Sequence, residues 1–381
     1  MVILIAPDSF KGSLSAQEAA DAIGEGVRDA LPAAALTLRP LSDGGEGLLN
    51  VLLPALGGEL CTAIVAGPNP GQQVEARWGY AVDARTAIIE MAEAAGLGRV
   101  PPYQQNPLLA TTYGVGQLIT YALDRGARTL LIGIGGSATN DGGAGMARAL
   151  GARFKDVGGN PLPPGGAALL HLASVDISGL DPRLRDTAVL VACDVRNPLT
   201  GPDGASAIFG PQKGAGPEEV TLLDAALEQF RRLLMELLHV DVQAIPGSGA
   251  AGGLGAGLVA FCGATLHSGI DLVLERTGFD ALLLKADLVL TGEGQLDSQT
   301  RCGKVLSGVL SRALRAGVPV AAIVGDIKGN RNEFIGPQAF RDVAVLIDHT
   351  VTREESMRDA RVLVRRKTAQ LMHQLLPTLT T

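Results

Sequence analysis

The chain is poor in the side chains that several chemistries require. Aromatic residues make up 3% of its 381 positions, too few to build the stacking platforms of a single-strand nucleic-acid binder. Lys and Arg total 32 against 39 Asp and Glu, a net charge of −7. There is no basic footprint for DNA or RNA. The four cysteines, Cys61, Cys193, Cys262 and Cys302, lie far apart and form no CxxC. The five histidines form no HxxxH pair. A zinc or iron–sulfur site is therefore not expected, and free thiols in a reducing cytoplasm are. The opening MVILIAPDSF has too short an apolar run for a signal sequence and no basic n-region. One uncharged stretch, residues 244–270, approaches the ~20 residues of a membrane span. Its glycine density reads better as a buried glycine loop leading into a core helix, so no membrane partner is expected.

What is present is a large aliphatic core. Hydrophobic residues reach 46%, enough for two or more domains in a chain of this length. The 50 glycines cluster in a few loops and form no repeat. VILIA (2–6) is a continuous apolar run, as in a strand buried on both faces. Ser15 and Glu18 then have capping-box spacing, followed by a helix with Ala19, Ile23, Val27 and Ala30 along one face. LTLRP reads as a second strand, GLLNVLLPAL as a helix and LCTAIV as a third strand. After the Pro/Gly break at residues 65–73, alternation at Val74, Ala76, Trp78, Tyr80 and Val82 marks a half-buried strand, with an antiparallel partner in VDARTAIIEM. Apolar strands return in DLVLTG, PVAAIVG and DVAVLI. Three strands at the N-terminus are too few for a parallel sheet covered on both faces. The expected architecture is thus α/β with two domains. A doubly wound, Rossmann-like parallel-sheet domain is built from residues 1–66 plus 287–381. An α/β domain with a mixed sheet, residues 67–286, is inserted between them, and the active site is expected in the cleft.

In open α/β sheets ligands bind at the carboxyl ends of strands, and several polar loops follow apolar runs. PDSFKGS offers Asp8, Ser9 and Lys11, which read either as a helix cap with a salt bridge or as contacts to a metal and an anion. LSDGGEG offers Asp43 and Glu46 around two glycines. GSATNDGGAG carries Ser137, Thr139, Asn140 and Asp141 ahead of a helix, where bare amides bind anions unless the turn is purely structural. DVRNPLTGPDGA presents Asp194, a candidate base, with Arg196 and with Asn197 in an Asn-Pro turn. FGPQKGAG presents Lys213, suited to a phosphate or simply solvated. PGSGAAGGLGAG either hugs a nucleotide or lets a helix pack closely. GEGQLDSQT supplies Glu293, Gln295, Asp297 and Ser298, then Lys304.

Carboxylates, a few lysines and two glycine loops form a part list for Mg²⁺-assisted phosphoryl transfer, and a poor one for acyl transfer or metal redox chemistry. No Walker A motif is present, since Gly303-Lys304 is followed by Val305. GIGGSA matches GxGxxA, with Asp156 at about the ~20-residue spacing of a dinucleotide fold. Asn140-Asp141, however, stand where such a fold would begin its helix.

Taken in order, IAPDSFKGSLSA, DGGEG, GIGGSATNDGGAGM, ACDVRNPLTGPDGA, FGPQKGA, GAAGGLGAG and TGEGQLDSQT resemble the signatures of bacterial glycerate kinases of glyoxylate and glucarate catabolism. The resemblance spans almost the whole chain. It departs at Ser248, where relatives usually carry Ala, and at Gln295-Leu296, where Arg-Ile is commoner. It implies a cytoplasmic enzyme using ATP and Mg²⁺ to convert D-glycerate to 2-phosphoglycerate or 3-phosphoglycerate, as a monomer or homodimer.

Loop position and residue type suggest the roles. ATP phosphates lie on Gly135, Gly136 and Ser137 and on Gly252, Gly253 and Gly255. Asp43, Glu293 and Asp297 hold the metal. Asp8, Ser9, Lys11, Asn140, Asn197 and Lys213 bind substrate, Lys11 also serving catalysis. Asp194, or failing that Asp141, orients or deprotonates the attacking hydroxyl. The rival readings are an NAD(P)-dependent dehydrogenase of a small hydroxy acid and a non-catalytic sugar-acid sensor.

Overall fold

The computed structural model describes residues 1–45, 47–297 and 305–379. Glu46, Ser298 and Lys304 lie outside the described residues. Thirteen strands are present among those described. They are β1 (Val2–Ile5), β2 (Ala35–Leu38), β3 (Glu59–Ala66), β4 (Gln73–Ala81), β5 (Thr86–Glu90), β6 (Thr129–Gly133), β7 (Arg153–Lys155), β8 (Ser174–Asp176), β9 (Ala188–Ala192), β10 (Thr265–His267), β11 (Leu288–Leu296), β12 (Val320–Ile327) and β13 (Val343–Val345). The chain divides into two compact units, one of Met1–Asp43, Asn50–Ala55 and Ile270–Thr381, the other of Gly44–Leu49 and Leu56–Gly269.

The first unit is built on a five-stranded sheet in the order β13-β12-β11-β1-β2, with every pair parallel. Its strands are short apolar runs because both faces are covered. Ile3 and Ile5 pack with Ile23 and Val27 of helix Ala16–Ala30 and with Val364 and Leu371 of helix Ala360–Leu379. Leu4 points the other way and is equally buried. Helix Ala16–Ala30 starts where the spacing predicts. Ser15 Oγ accepts from the Glu18 amide, and Glu18 returns the bond to the Ser15 amide, a cap that contributes about 1 kcal/mol.

The second unit carries a six-stranded mixed sheet in the order β10-β9-β6-β5-β4-β3. β3, β4 and β5 pair antiparallel, while β5, β6, β9 and β10 run parallel. A β7–β8 ribbon is separate. The residue 244–270 stretch becomes helix Ala250–Cys262 in the core of this unit. No described helix is long and apolar enough to cross a membrane.

Both expected boundaries shift. β3, placed by its apolar content in the first sheet, is the edge strand of the second. Cys61, Ala63 and Val65 face its core, whereas Leu60 and Ile64 are more than half exposed. Apolar residues on both parities of an edge strand imitate a strand buried on two sides. At the other border, residues from Ile270 onward belong to the first unit. Gly308 lets Ile270 and Leu274 pack closely, and Arg312 pairs with Asp271 and Asp280.

Close backbone approach decides the second unit's interior. A side chain at Gly252, which has φ +67°, would strike the Thr139 carbonyl oxygen, and one at Gly253 would lie 2.9 Å from Gly142 Cα. Gly263 ends the same helix at φ +63° with open space around it. Gly263→Ala is expected to cost about 1 kcal/mol, the penalty of left-handed backbone alone. Gly252→Ala adds a steric clash with backbone and is expected to cost ~3 kcal/mol or more. Urea unfolding of the two variants checks this, and equal losses would refute the packing argument.

Candidate active site

In the first unit the last residues of β11 and β12 and the loops after β1 and β2 meet at the carboxyl end of the parallel sheet. They enclose a cavity of about 280 Å³ lined by Asp8, Ser9, Lys11, Asp43, Glu293 and Asp326, among others. The Asp8 amide donates to the Gly292 carbonyl at 2.8 Å, tying the loop to β11. Lys11 Nζ stands 3.7 Å from Asp43 Oδ2, with the lysine largely exposed. Burial, with the Asp43 carboxylate second, raises Asp8 to about 6 against the hydrogen bonds from Ser9 and the charge of Lys11. Four carboxylates face two cations here, Lys11 and Arg353.

Five of the residues expected from sequence thus share one wall. Asp297 follows the end of β11 and does not line this cavity. Among the described residues no three His, Cys, Asp or Glu side chains converge as a metal cage, and of the expected trio Asp43 and Glu293 line this cavity. The donor set still suits Mg²⁺, which takes hard oxygen ligands and commonly only one or two carboxylates alongside phosphate and water. The crowded Asp8 carboxylate is the sign of a place where a cation relieves repulsion. Two charged lining residues escaped the sequence reading. Asp326 ends an apolar strand and obeys the same rule that found Asp8. Arg353 opens a short helix with no distinguishing signal.

In the second unit β6 delivers the chain into the glycine loop. Gly135 and Gly136 are exposed and Ser137 is 7% exposed. The turn is braced from one side, where Leu97 N–H donates to the Gly136 carbonyl and Ala138 N–H to that of Ala95. Among the described residues, the N–H groups of Gly135, Gly136 and Ser137 meet no protein acceptor. Bare amides on an exposed turn form an anion site.

Below the turn Thr139, Asn140, Asp141 and Lys213 are all buried. Asp141 is 1% exposed. It accepts from the Thr112 amide (2.8 Å) and hydroxyl and from the amides of Gly143 and Gly145. Burial raises its pKa while these hydrogen bonds oppose the rise. Such a carboxylate anchors the loop, so the assignment of Asp141 as a base is withdrawn. Asn140 is fully buried and donates to Ser206 Oγ at 2.9 Å. Asn197 Nδ2 is spent on the Asp203 carbonyl. Lys213, 1% exposed, is neither solvated nor open to ligand, and its Nζ donates to Ser137 Oγ and the Thr139 carbonyl, both at 2.7 Å.

Gly252, Gly253 and Gly255 are buried against backbone of this unit. They serve close packing, and their assignment to nucleotide phosphates is withdrawn too. Asp194 stays exposed just beyond β9, as does Arg196, and Asp194 Oδ1 accepts from the Gly269 amide at 2.8 Å. The dinucleotide alternative loses its ribose ligand, because Asp156 Oδ1 caps its own turn through Gly158 and Asn160.

Comparison with known proteins agrees with this part list. Residues 3–376 match the model of the glycerate kinase family. The chain is 51% identical to a glycerate kinase of Bacillus subtilis (strain 168) over 332 residues, 87% of each chain. It is 50% identical to a glycerate 2-kinase of Escherichia coli (strain K12), covering 86% of each. A crystal structure titled as a glycerate kinase 2 from Salmonella typhimurium LT2 superposes with a TM-score of 0.89 at 48% identity, covering 100% of both chains. The chain belongs to the glycerate kinase family and is a phosphotransferase with an alcohol group as acceptor.

Proposed function

We propose that the protein transfers the γ-phosphoryl group of ATP to the 2-hydroxyl of D-glycerate, giving 2-phosphoglycerate and ADP in a reducing cytoplasm. The observation that carries the nucleotide half is the exposed Gly135–Ser137 turn with its three unspent N–H groups. Their dipoles neutralise phosphate charge with no side chain to displace. The acceptor position is supported by the relative described as a glycerate 2-kinase.

The roles follow from chemistry. Lys11, exposed at the cavity of the first unit, supplies a cation for the glycerate carboxylate. Asp8 and Ser9 orient the substrate hydroxyls by hydrogen bonding. Asp194, an exposed carboxylate, accepts the proton of the 2-hydroxyl as its oxygen bonds to phosphorus and the bond to the ADP oxygen breaks. Asp43 and Glu293 would hold Mg²⁺, which offsets charge on the phosphate oxygens when bound.

A coupled ADP-release assay tests the reading. Turnover is expected with D-glycerate under Mg-ATP, with no response to NADH; silence with D-glycerate would sink it. Asp194→Asn is expected to lower kcat by about 100-fold or more with unchanged thermal stability. Near-normal turnover would remove Asp194 from that role. Lys11→Ala is expected to raise the glycerate KM about tenfold and leave kcat within a small factor, the loss of one exposed charge-assisted contact.

Asp8 also marks the stability curve. Its folded pKa of about 6 exceeds the unfolded 3.8, so the folded state binds more protons and stability falls as pH rises from about 4 to 6. In metal-free protein Asp8→Asn is expected to remove that slope and to gain about 1–3 kcal/mol at pH 8. A variant less stable than wild type at pH 8 would contradict the crowding described above.

A further inference from the structure

Lys213 is among the largest fully buried side chains of the described residues, and the roles above leave it unused. Burying an ammonium is costly unless partners replace its water. Here the replacements are one hydroxyl oxygen and one carbonyl oxygen. Among the described residues the one ionisable group acting on it electrostatically is the Asp141 carboxylate, itself committed to four donors. Both oxygens that Lys213 holds belong to the loop beginning at the exposed turn. Ser137 Oγ accepts from Nζ at 2.7 Å, so its own proton is left to donate elsewhere.

We propose that Lys213 is a positioning residue that acts from beneath the turn, through Ser137, to charge an oxyanion site on the Gly135–Ser137 amides. The inference rests on the nucleotide reading above and deepens it. The oxyanion is a phosphate of ATP or the carboxylate of the acid substrate, and the turn takes either by the same chemistry. Lys213 never touches the ligand. Its charge sits one hydroxyl away, and its bond to the Thr139 carbonyl fixes the loop that carries the amides.

Incomplete replacement of water has a visible consequence. Burial lowers Lys213 to about 7, against the opposing pull of Asp141. An anion bound at the turn stabilises the ammonium and raises that value. Binding above pH 7 must then take up a proton, and affinity must fall as pH rises, by up to about tenfold per unit. Below pH 7 the lysine is already protonated and no uptake occurs.

Calorimetry on the wild-type protein tests this without relying on turnover. A non-hydrolysable ATP analogue with Mg²⁺, and D-glycerate separately, are titrated at pH 6 and pH 8 in buffers of different ionisation enthalpy. Uptake approaching one proton at pH 8 and none at pH 6 is expected for the ligand seated on the turn, and the arm that shows it identifies the anion. Lys213→Met keeps the side-chain length. If it folds, it should lose the uptake and bind that ligand about tenfold or more weakly at pH 6, with little pH dependence to pH 9. No proton uptake by wild type for either ligand, or uptake retained in Lys213→Met, overturns the proposal. Loss of glycerate-dependent ADP release is a separate failure, that of the kinase reading, and leaves the binding result to judge the lysine.

Discussion

The interior of the second unit depends on one constraint, that two loops approach each other backbone to backbone. Gly252 and Gly253 lie against Thr139, Asn140 and Gly142, and Gly257 lies against Gly143. A methyl group at these positions would push the loops apart. The contact fixes the height of residues 139–143, and with it the Thr139 carbonyl that Lys213 grips and the amides that Asp141 gathers. A buried lysine and a buried aspartate are expensive in isolation. Here they hold opposite sides of one loop whose far end, Gly135–Ser137, is left exposed with bare amides.

The first unit reaches polarity differently. Its parallel strands bring their carboxyl ends to one edge of the sheet, so residues in or after those ends converge there. Asp8, Asp43, Glu293 and Asp326 all arrive in this way. Burial first, and the Asp43 carboxylate second, leave Asp8 poorly ionised at mildly acidic pH. Such a cavity suits a hard cation and a hydroxylated acid, and among the described residues its lining holds no thiol or imidazole.

Much of this was legible in the sequence, for physical reasons. Parallel strands covered on both faces are short continuous apolar runs, and the polar residue after each one marks a binding edge. That logic found the cavity wall from Asp8 to Glu293 and missed Asp326 only because the rule was not applied to β12. A capping box fixed the first helix at Ser15. What stayed hidden was direction and depth. Composition could not tell whether the glycines near residue 252 meet a phosphate or a carbonyl, nor whether Lys213 points to solvent or inward. Asp141 is polar in a glycine loop, as a base would be, but it is spent on amides, which sequence cannot count. At β3 the apolar side chains of an exposed edge face made a border strand look interior.

Phosphate chemistry at a hydroxylated acid is the claim on which the rest depends, and the product decides it most directly. Phosphorus NMR of a reaction containing D-glycerate, ATP and Mg²⁺ resolves the new phosphomonoester by its proton coupling. Transfer to the 2-hydroxyl leaves phosphorus coupled to a single methine proton, a doublet growing as the γ-phosphate signal declines. A triplet from a methylene ester would contradict the assigned acceptor, and an unchanged ATP spectrum would contradict the phosphoryl transfer itself.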